Sequence, residues 1–251
     1  MAIVVGPGIT VGPGIGLLTE VAAPTTGSAQ FVAASNQFLN ATTVVPGTPT
    51  ATYEWWVYVN SFSTTAGMLN TRTGGTTANG FLVYLSYSGI GDTATVIVTA
   101  PNGTSYSNQG TVSLNTWYHM ALVRTGTLTN WAFYFNGVRT GSTISGATAP
   151  SSTALYLGTN NGSTLTLDGY ISNFRFVKGV AVYTGNFTVP TAPLTATQSA
   201  GTNISAVTGT QTQLLLNTVY GAGFLTDSST FNVSVTNNNG VTSATLNPFG
   251  L

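Results

Sequence analysis

The stretch Asp168-Gly169-Tyr170-Ile171-Ser172-Asn173-Phe174-Arg175-Phe176-Val177-Lys178-Gly179 gives the clearest indication of the fold. Aromatic and β-branched residues are concentrated between Gly169 and Gly179, and the length of this stretch suits one β-strand. Successive side chains of a strand point to opposite faces, so alternate residues of this stretch are expected to lie on opposite faces of the sheet. A regular strand places Tyr170, Phe174 and Phe176 on one face and Ile171, Asn173 and Arg175 on the other.

From Phe31 onward the chain repeats this kind of pattern. Short runs rich in Val, Ile, Tyr, Phe and Thr are separated by Gly, Asn and Pro about every ten residues, as β-sandwiches require. The fold class predicted from these runs is all-β, an antiparallel β-sandwich. The predicted strands cover residues 31–39, 53–59, 81–86, 93–100, 104–108, 118–125, 131–135, 154–158, 168–177, 213–216 and 231–235.

Two turns identify antiparallel neighbours. Asn136-Gly137 follows an aromatic run, and this dipeptide favours the positive φ angles of a tight hairpin turn. Pro101-Asn102-Gly103 is a turn sequence of the same kind and joins residues 95–98 to residues 104–106. Both turns predict hairpins.

The N-terminal residues 1–27 form a predicted Gly-Pro arm. Two near-copies of one hexapeptide, residues 5–10 and 11–16, each contain Gly-Pro-Gly, which excludes a regular helix or a central strand. The alternatives are a mobile leader and an extended strap that lies on another subunit, and we expect the strap. The expected partner-docking residues are Gly6, Pro7, Gly8, Ile9, Val11, Gly12, Pro13, Gly14 and Ile15.

The remaining chain divides in two. Residues 28–194 are predicted to form the sandwich, and residues 195–251 to complete it or to form an appended sheet. Residues 195–209 are rich in Thr, Ala, Ser and Gly, which is typical of a surface linker. Strand character returns at residues 214–216 and 231–235, so we expect this part to return to an edge of the sandwich.

Charge is scarce in this chain. Charged residues make up 4% of its 251 residues, against about 25% in ordinary globular proteins, and the formal net charge is zero. The five cations are scattered, which excludes the basic stripe that nucleic-acid binding needs. No apolar run approaches the roughly twenty residues of a membrane span, and the first residues do not resemble a secretory signal. A neutral polar surface suits permanent packing against neighbouring subunits.

Catalytic residues are not expected. The acids Glu20, Glu54, Asp92, Asp168 and Asp227 are isolated in sequence, whereas glycoside hydrolysis needs a pair of carboxylates about 5 Å apart. His119 is the single histidine, and we expect a structural role for it. Arg175 is expected to form a structural ion pair with Glu54 or Asp168. Calcium is possible but no motif supports it, so no metal site or cofactor is predicted.

Three stretches carry a resemblance to a known family: YEWWVY at residues 53–58, WYHMALVR at 117–124 followed by FYFNGV at 133–138, and LYLG at 155–158 with the stretch quoted above. They resemble the laminin-G-like, concanavalin A-like lectin/glucanase superfamily, in the form found in bacteriophage virion proteins. The third stretch continues at residues 183–194, and residues 214–216, 226–229 and 247–249 are similar to the closing segment of such domains. The resemblance implies a jelly-roll sandwich and constrains function weakly, since the superfamily includes lectins, hydrolases, adhesins and structural modules.

Two functions follow as expectations from the resemblance. The first is a non-enzymatic virion structural protein, a capsid decoration or head-fibre protein that its arm anchors to other virion subunits and that forms homo-oligomers. The alternative is a glycan-binding tail or adhesion module for host-surface polysaccharide. Its expected contacts are turn residues with aromatic or amide side chains, namely Tyr87, Asn102, Tyr106, Asn108, Asn160 and Asn161.

Overall fold

The computed structural model describes residues 26–43, 50–73, 79–126, 130–145, 150–160 and 165–250. The arm residues from Gly6 to Ile15, and Asn161, lie outside these ranges. The described residues form sixteen strands, all paired antiparallel. The strands are β1 (Ser28–Phe31), β2 (Phe38–Thr42), β3 (Thr50–Ser61), β4 (Thr65–Asn70), β5 (Leu82–Ser86), β6 (Thr93–Thr99), β7 (Ser105–Tyr106), β8 (Thr111–Ser113), β9 (Trp117–Thr125), β10 (Trp131–Phe135), β11 (Val138–Ile144), β12 (Ala154–Leu157), β13 (Asp168–Lys178), β14 (Thr212–Leu216), β15 (Val235–Asn238) and β16 (Thr242–Ala244).

Two eight-stranded sheets face each other, so the predicted fold class is confirmed. The first sheet has the order β11-β10-β9-β3-β13-β1-β16, and β14 also pairs with β13. The second has the order β15-β2-β12-β4-β5-β6-β7, and β8 also pairs with β6. The two predicted hairpins are present as β10–β11 and β6–β7. In the first, Asn136 and Gly137 have φ angles of 47° and 77°, as a primed turn requires.

The single strand predicted over residues 31–39 is wrong. The chain leaves the first sheet after β1, forms a 3₁₀ turn at Ala33–Ser35, and enters the second sheet as β2. Asn36 ends the turn in the left-handed region at a φ of 50°. Asn tolerates that conformation better than most residues, so it permits the change of direction between the sheets.

The core lies between the two sheets. Trp55, Phe133 and Phe176 of the first sheet are fully buried against Leu157 and Val83 of the second. Tyr53 and Phe176 stack with ring centroids 4.4 Å apart across the β3–β13 pair. Large aromatic rings therefore supply much of the buried apolar area that holds the sheets together.

The two faces predicted for β13 are partly wrong. The register of β13 against β3 shifts between Ser172 and Arg175, where Asn173 has a φ of 51°. This bulge reverses the alternation, so Ile171 joins Phe174 in the core while Tyr170 lies on the outer face. The prediction from regular alternation placed Tyr170 and Phe174 on the same face.

Residues 180–211, here called the covering segment, lie over the outer face of the first sheet. Val182, Tyr183 and Val207 pack there against Ala121 and Val123 in a second buried cluster. Most side chains of residues 195–209, the predicted surface linker, are exposed, but Val207 is buried and anchors this stretch on the sheet. The segment has few apolar side chains, but it is fixed by hydrogen bonds such as the one from Gln198 Nε2 to the carbonyl oxygen of Ser205, 2.9 Å long.

The last part of the chain pairs with both sheets. β14 lies beside β13, β16 beside β1, and β15 beside β2. The strand predicted over residues 231–235 begins only at Val235. The preceding loop is organised by the Asp227 carboxylate, which accepts hydrogen bonds from the backbone N–H groups of Leu215, Ser229 and Val233 at 2.8–2.9 Å.

Candidate functional site

The outer face of the second sheet carries a row of polar and aromatic side chains. Cross-strand register places Tyr156 of β12 directly opposite Asn40 of β2 on one side and Asn70 of β4 on the other. On β2 and β12 the residues flanking this row, such as Leu39 and Leu157, point into the core. We call the surface formed by Phe38, Asn40, Asn70, Arg72, Tyr84, Tyr156 and Asn160 the outer-face site.

Tyr156 forms the aromatic part of this site. Its ring is half-buried, and Phe38 lies beside it with the ring centroids 6.2 Å apart. Its hydroxyl has no hydrogen bond to any described residue. Asn238 Nδ2 donates to Asn40 Oδ1 over 2.7 Å, which orients the Asn40 amide and leaves its own N–H groups for another partner. An aromatic surface thus lies next to an oriented amide donor.

Asn70, Arg72 and Asn160 form a hydrogen-bonded group on the other side of Tyr156. Asn70 Oδ1 accepts from the Arg72 backbone N–H at 2.8 Å and from Arg72 Nε at 3.3 Å. Arg72 Nη2 donates to Asn160 Oδ1 at 2.9 Å, and Asn70 Nδ2 donates to the Asn160 carbonyl oxygen. Burial lowers the pKa of Arg72, and a coulombic contact with Tyr84 partly opposes this. These contacts give the group a fixed geometry.

Gly67 allows Asn160 to reach this group. A Cβ at Gly67 would lie 2.1 Å from the backbone nitrogen of Asn160 and 2.1 Å from the carbonyl carbon of Thr159. The Gly67 backbone N–H also donates to the Leu165 carbonyl oxygen over 2.9 Å. The backbone that follows β12 can lie this close to β4 only because residue 67 has no side chain.

The turn residues predicted as glycan contacts do not come together. Asn160 belongs to the outer-face site. Tyr87 stacks on Phe62 with centroids 5.2 Å apart and donates to the Gly91 carbonyl oxygen, 2.9 Å away. Tyr106 packs against the edge of the core, and its hydroxyl donates to the Ser145 carbonyl oxygen over 2.5 Å. Asn102 and Asn108 are exposed in separate turns.

Sequence reasoning missed Asn40, Asn70, Arg72, Tyr84 and Tyr156. A signal was present for two of them, because Asn40 and Tyr156 each stand between two apolar residues of a strand. That alternation predicts an outward-facing position. It gives no indication that β2 and β12 are neighbours, so it cannot bring the two residues together.

The described carboxylates occupy structural positions. Glu54 is fully buried beneath the covering segment and pairs with Arg175, whose Nη2 lies 2.6 Å from Glu54 Oε1. The ion pair predicted for Arg175 thus forms with Glu54, while Asp168 accepts a hydrogen bond from Ser61. Asp227 holds the loop before β15, and Asp92 is exposed in the turn between β5 and β6.

Glu54 is the centre of a buried network. Tyr183 OH donates to Glu54 Oε2 at 2.5 Å, and His119 Nε2 lies 3.4 Å from the same oxygen. Burial raises the pKa of the Glu54 carboxyl, but the Arg175 charge and the contacts with His119 and Tyr183 outweigh it and hold the pKa at about 2. Burial and the Glu54 charge raise the pKa of Tyr183 well above its ordinary value. This network ties the covering segment to the sheet.

His119 is also part of the interior. Its ring is fully buried and meets Trp56 and Phe187 edge-on, with centroids 5.1 and 5.7 Å away. Nε2 lies 3.4 Å from Glu54 Oε2, and neither ring nitrogen makes a hydrogen bond in the described part of the chain. The surroundings of His119 are those of a core side chain.

Among the described residues, no three His, Cys, Asp or Glu side chains converge to form a site that could hold a metal ion.

Within the same ranges, no helix has the length and apolar character needed to cross a membrane.

The two facing antiparallel sheets define a concanavalin A-like β-sandwich. A family model of the concanavalin A-like lectin/glucanases superfamily, Laminin_G_3, matches residues 26–182, and the chain belongs to this family. No curated protein matches the chain.

Solved structures share the fold. One is a candidate carbohydrate-binding protein from Bacteroides ovatus, with a TM-score of 0.57 and 20% identity over 89% of this chain. This chain spans 61% of that protein's length. Another is the heptameric SAP-like pentraxin of Limulus polyphemus, with a TM-score of 0.53 and 13% identity over 88% of this chain and 95% of the pentraxin. At these identities the likeness concerns the fold.

Proposed function

We propose that this chain is a carbohydrate-binding module and that the glycan binds at the outer-face site. Membership of a lectin and glucanase superfamily supports this class of function, and so does the Bacteroides ovatus protein described as carbohydrate-binding. The virion role expected first from the sequence has less support. The location of the glycan is argued from the described side chains alone.

The observation that carries the proposal is the position of Tyr156 between two asparagines in register. Adjacent strands lie about 4.8 Å apart, so the Asn40 amide lies beside the tyrosine ring at roughly the width of one pyranose. A sugar can place its C–H face on the ring while its hydroxyls bond to the Asn40 amide. Asn70 is 1% exposed and its amide is bonded to Arg72 and Asn160, so it supports the site from below. Binding sites for small ligands combine an apolar surface with a few placed polar groups in this way.

Binding without hydrolysis is part of the proposal. The eight strands of the second sheet contain neither Asp nor Glu. Retaining and inverting glycosidases need two carboxyl groups at separations of about 5–5.5 Å or about 6.5–9.5 Å. The described carboxylates instead form an ion pair, bond at a strand end, organise a loop or lie exposed in a turn. Binding is therefore the activity that this face supports.

A glycan array followed by calorimetry on the best binder tests the proposal. Tyr156→Ala removes the stacking ring, and loss of such an aromatic anchor costs about 2 kcal/mol, which is about 30-fold in Kd. Tyr220→Ala is the matched control, because Tyr220 is half exposed on the C-terminal part of the chain.

Tyr87→Ala separates this site from the turn predicted from the sequence. The proposal requires Tyr87→Ala and Tyr220→Ala to bind as the unsubstituted protein does. If Tyr87→Ala loses glycan binding and Tyr156→Ala retains it, the glycan binds at the turns and the outer-face site is refuted. Absence of any glycan binding refutes the proposal.

A virion structural role is the second candidate, and a second aromatic surface favours it. Trp117, Tyr58 and Tyr170 lie in register on the outer face of the first sheet, with neighbouring ring centroids 5.4 and 5.6 Å apart. All three are half-buried. Aromatic residues are enriched at protein interfaces, and the low charge of the chain suits permanent contacts.

The proposed partners in that role are other virion subunits and further copies of this chain, and the proposed location is the virion. Deletion of residues 1–20 tests the arm as the anchor. Particle incorporation is expected to fall while the isolated protein keeps its melting temperature, and unchanged incorporation removes the arm from this role.

A further inference from the structure

Arg72 stands out within the outer-face site because it is a buried cation held by neutral groups. The residue follows β4 and is 6% exposed. Its guanidinium donates to the side-chain oxygens of Asn70 and Asn160 and to the Asn160 carbonyl oxygen, at 2.9–3.3 Å. Nη1 has no acceptor within hydrogen-bond distance among the described residues. Its N–H groups are therefore available to a ligand.

No carboxylate balances the Arg72 charge in the described part of the chain. Both ion pairs found there involve Glu54, on the first sheet. The undescribed segments 74–78 and 161–164, which adjoin Arg72 and Asn160 in sequence, contain no acidic residue. Burial removes water from around the Arg72 charge and so lowers the pKa of Arg72.

Arg175 shows one way in which this sandwich compensates a buried arginine. It is fully buried and pairs with Glu54, and its remaining donors bond to Thr195 and Gln198. A buried charge is costly unless an opposite charge and hydrogen bonds compensate for it. Arg72 has hydrogen bonds but lacks the opposite charge.

We infer that the glycan bound at the outer-face site is an acidic sugar whose carboxylate pairs with Arg72. This inference rests on the proposed function and names its substrate class. Nε and Nη2 already donate to Asn70 and Asn160, so the carboxylate would accept a charge-assisted hydrogen bond from Nη1. Asn70 and Asn160 hold the guanidinium in place, and the sugar stacks on Tyr156, one strand away from Asn70 in the sheet.

Calorimetry with acidic and neutralised forms of one sugar tests the inference. The probes are galacturonic acid oligosaccharides and sialyllactose, each compared with its carboxyl-reduced derivative. The unsubstituted protein is expected to bind one acidic probe at least about tenfold more tightly than its reduced form. That preference is expected to weaken only slightly as salt is raised from 50 to 300 mM, because Arg72 is 6% exposed and salt screens buried charge pairs little.

Arg72→Gln removes the charge and keeps an amide that can still bond to Asn160. This variant is expected to bind the acidic and reduced probes equally, with the affinity that the unsubstituted protein has for the reduced probe. Arg72→Lys, which keeps the charge but not the planar fork, is expected to recover part of the preference. Arg139→Gln is the matched control, because Arg139 is exposed on β11 and bonds to Thr143.

The remaining outcomes separate the inference from the proposed function. Equal binding of both probe forms by the unsubstituted protein, with loss in Tyr156→Ala, overturns the acidic sugar and leaves the binding module standing. Equal weakening of both forms by Arg72→Gln shows that Arg72 only positions the Asn160 loop, which also overturns the inference. Failure to bind any glycan of the array overturns both.

Discussion

Replacing Glu54 by Gln tests the buried network that holds the covering segment on the first sheet. The pKa of this carboxyl falls from an ordinary value of 4.5 to about 2 in the folded protein. Each tenfold change in proton affinity corresponds to about 1.4 kcal/mol, so the ionised carboxylate contributes about 3 kcal/mol to the free energy of unfolding. Glu54→Gln also leaves Arg175 buried without an opposite charge, and breaking such a pair costs about 3–5 kcal/mol.

The pH dependence follows from the direction of this pKa change. A lowered pKa stabilises the folded protein above the ordinary value of 4.5, and the contribution is lost as the pH falls toward 2. Urea unfolding is therefore expected to show Glu54→Gln less stable by about 3 kcal/mol at pH 5.5, with the difference reduced to about 1 kcal/mol at pH 3.

Asp92→Asn, at an exposed turn position, is the control and is expected to change stability by less than about 0.5 kcal/mol at either pH. A stability difference between Glu54→Gln and the unsubstituted protein that stays constant from pH 5.5 to pH 3 would refute the reasoning. Equal stability of the two proteins at pH 5.5 would refute it as well.

Two other substitutions test the local geometry. Gly67→Ala places a Cβ against the backbone of Asn160. Calorimetry is therefore expected to show weaker glycan binding, and thermal unfolding is expected to show a loss of about 1–3 kcal/mol in stability. Unchanged affinity and stability would contradict the close approach of the two backbones. Asp227→Ala leaves the backbone N–H groups of Leu215, Ser229 and Val233 without their acceptor, so urea unfolding is expected to show a loss of about 1–3 kcal/mol, and a loss below about 0.5 kcal/mol contradicts the role of the carboxylate.

Local features of the fold could be predicted because local chemistry determines them. Asn136-Gly137 specifies its hairpin through the φ angles that these residues accept. The ion pair of Arg175 could be anticipated in part, since the sequence left Glu54 and Asp168 as its possible partners and the structure pairs it with Glu54. Both predictions needed only residue type and strand character.

The features that sequence reasoning missed depend on contacts between distant parts of the chain. The bulge at Asn173 is supported by Thr218 and by Leu194, whose backbone N–H donates to Asn173 Oδ1 over 3.0 Å. The covering segment is held by hydrogen bonds and a few apolar contacts. It therefore needs few apolar residues, and its composition resembles that of a linker. Neither arrangement has a local sequence signal.

The outer-face site could be predicted only in part, for the same reason. Asn40, Asn70 and Tyr156 lie on three strands that are far apart in sequence, and only the strand order β2-β12-β4 makes them neighbours. Turns were the natural place to look for binding residues, since loops commonly carry function. Here the described turns hold Tyr87 and Tyr106 in structural hydrogen bonds.

Mapping a bound glycan onto the protein by NMR tests the central claim most directly. The measurement follows backbone and side-chain amide signals of the isotope-labelled protein during titration with the best-binding glycan. The largest changes are expected to cluster at Asn40, Asn70 and Tyr156. Changes that cluster instead at Tyr87 and Tyr106, with the outer-face signals unmoved, would contradict it.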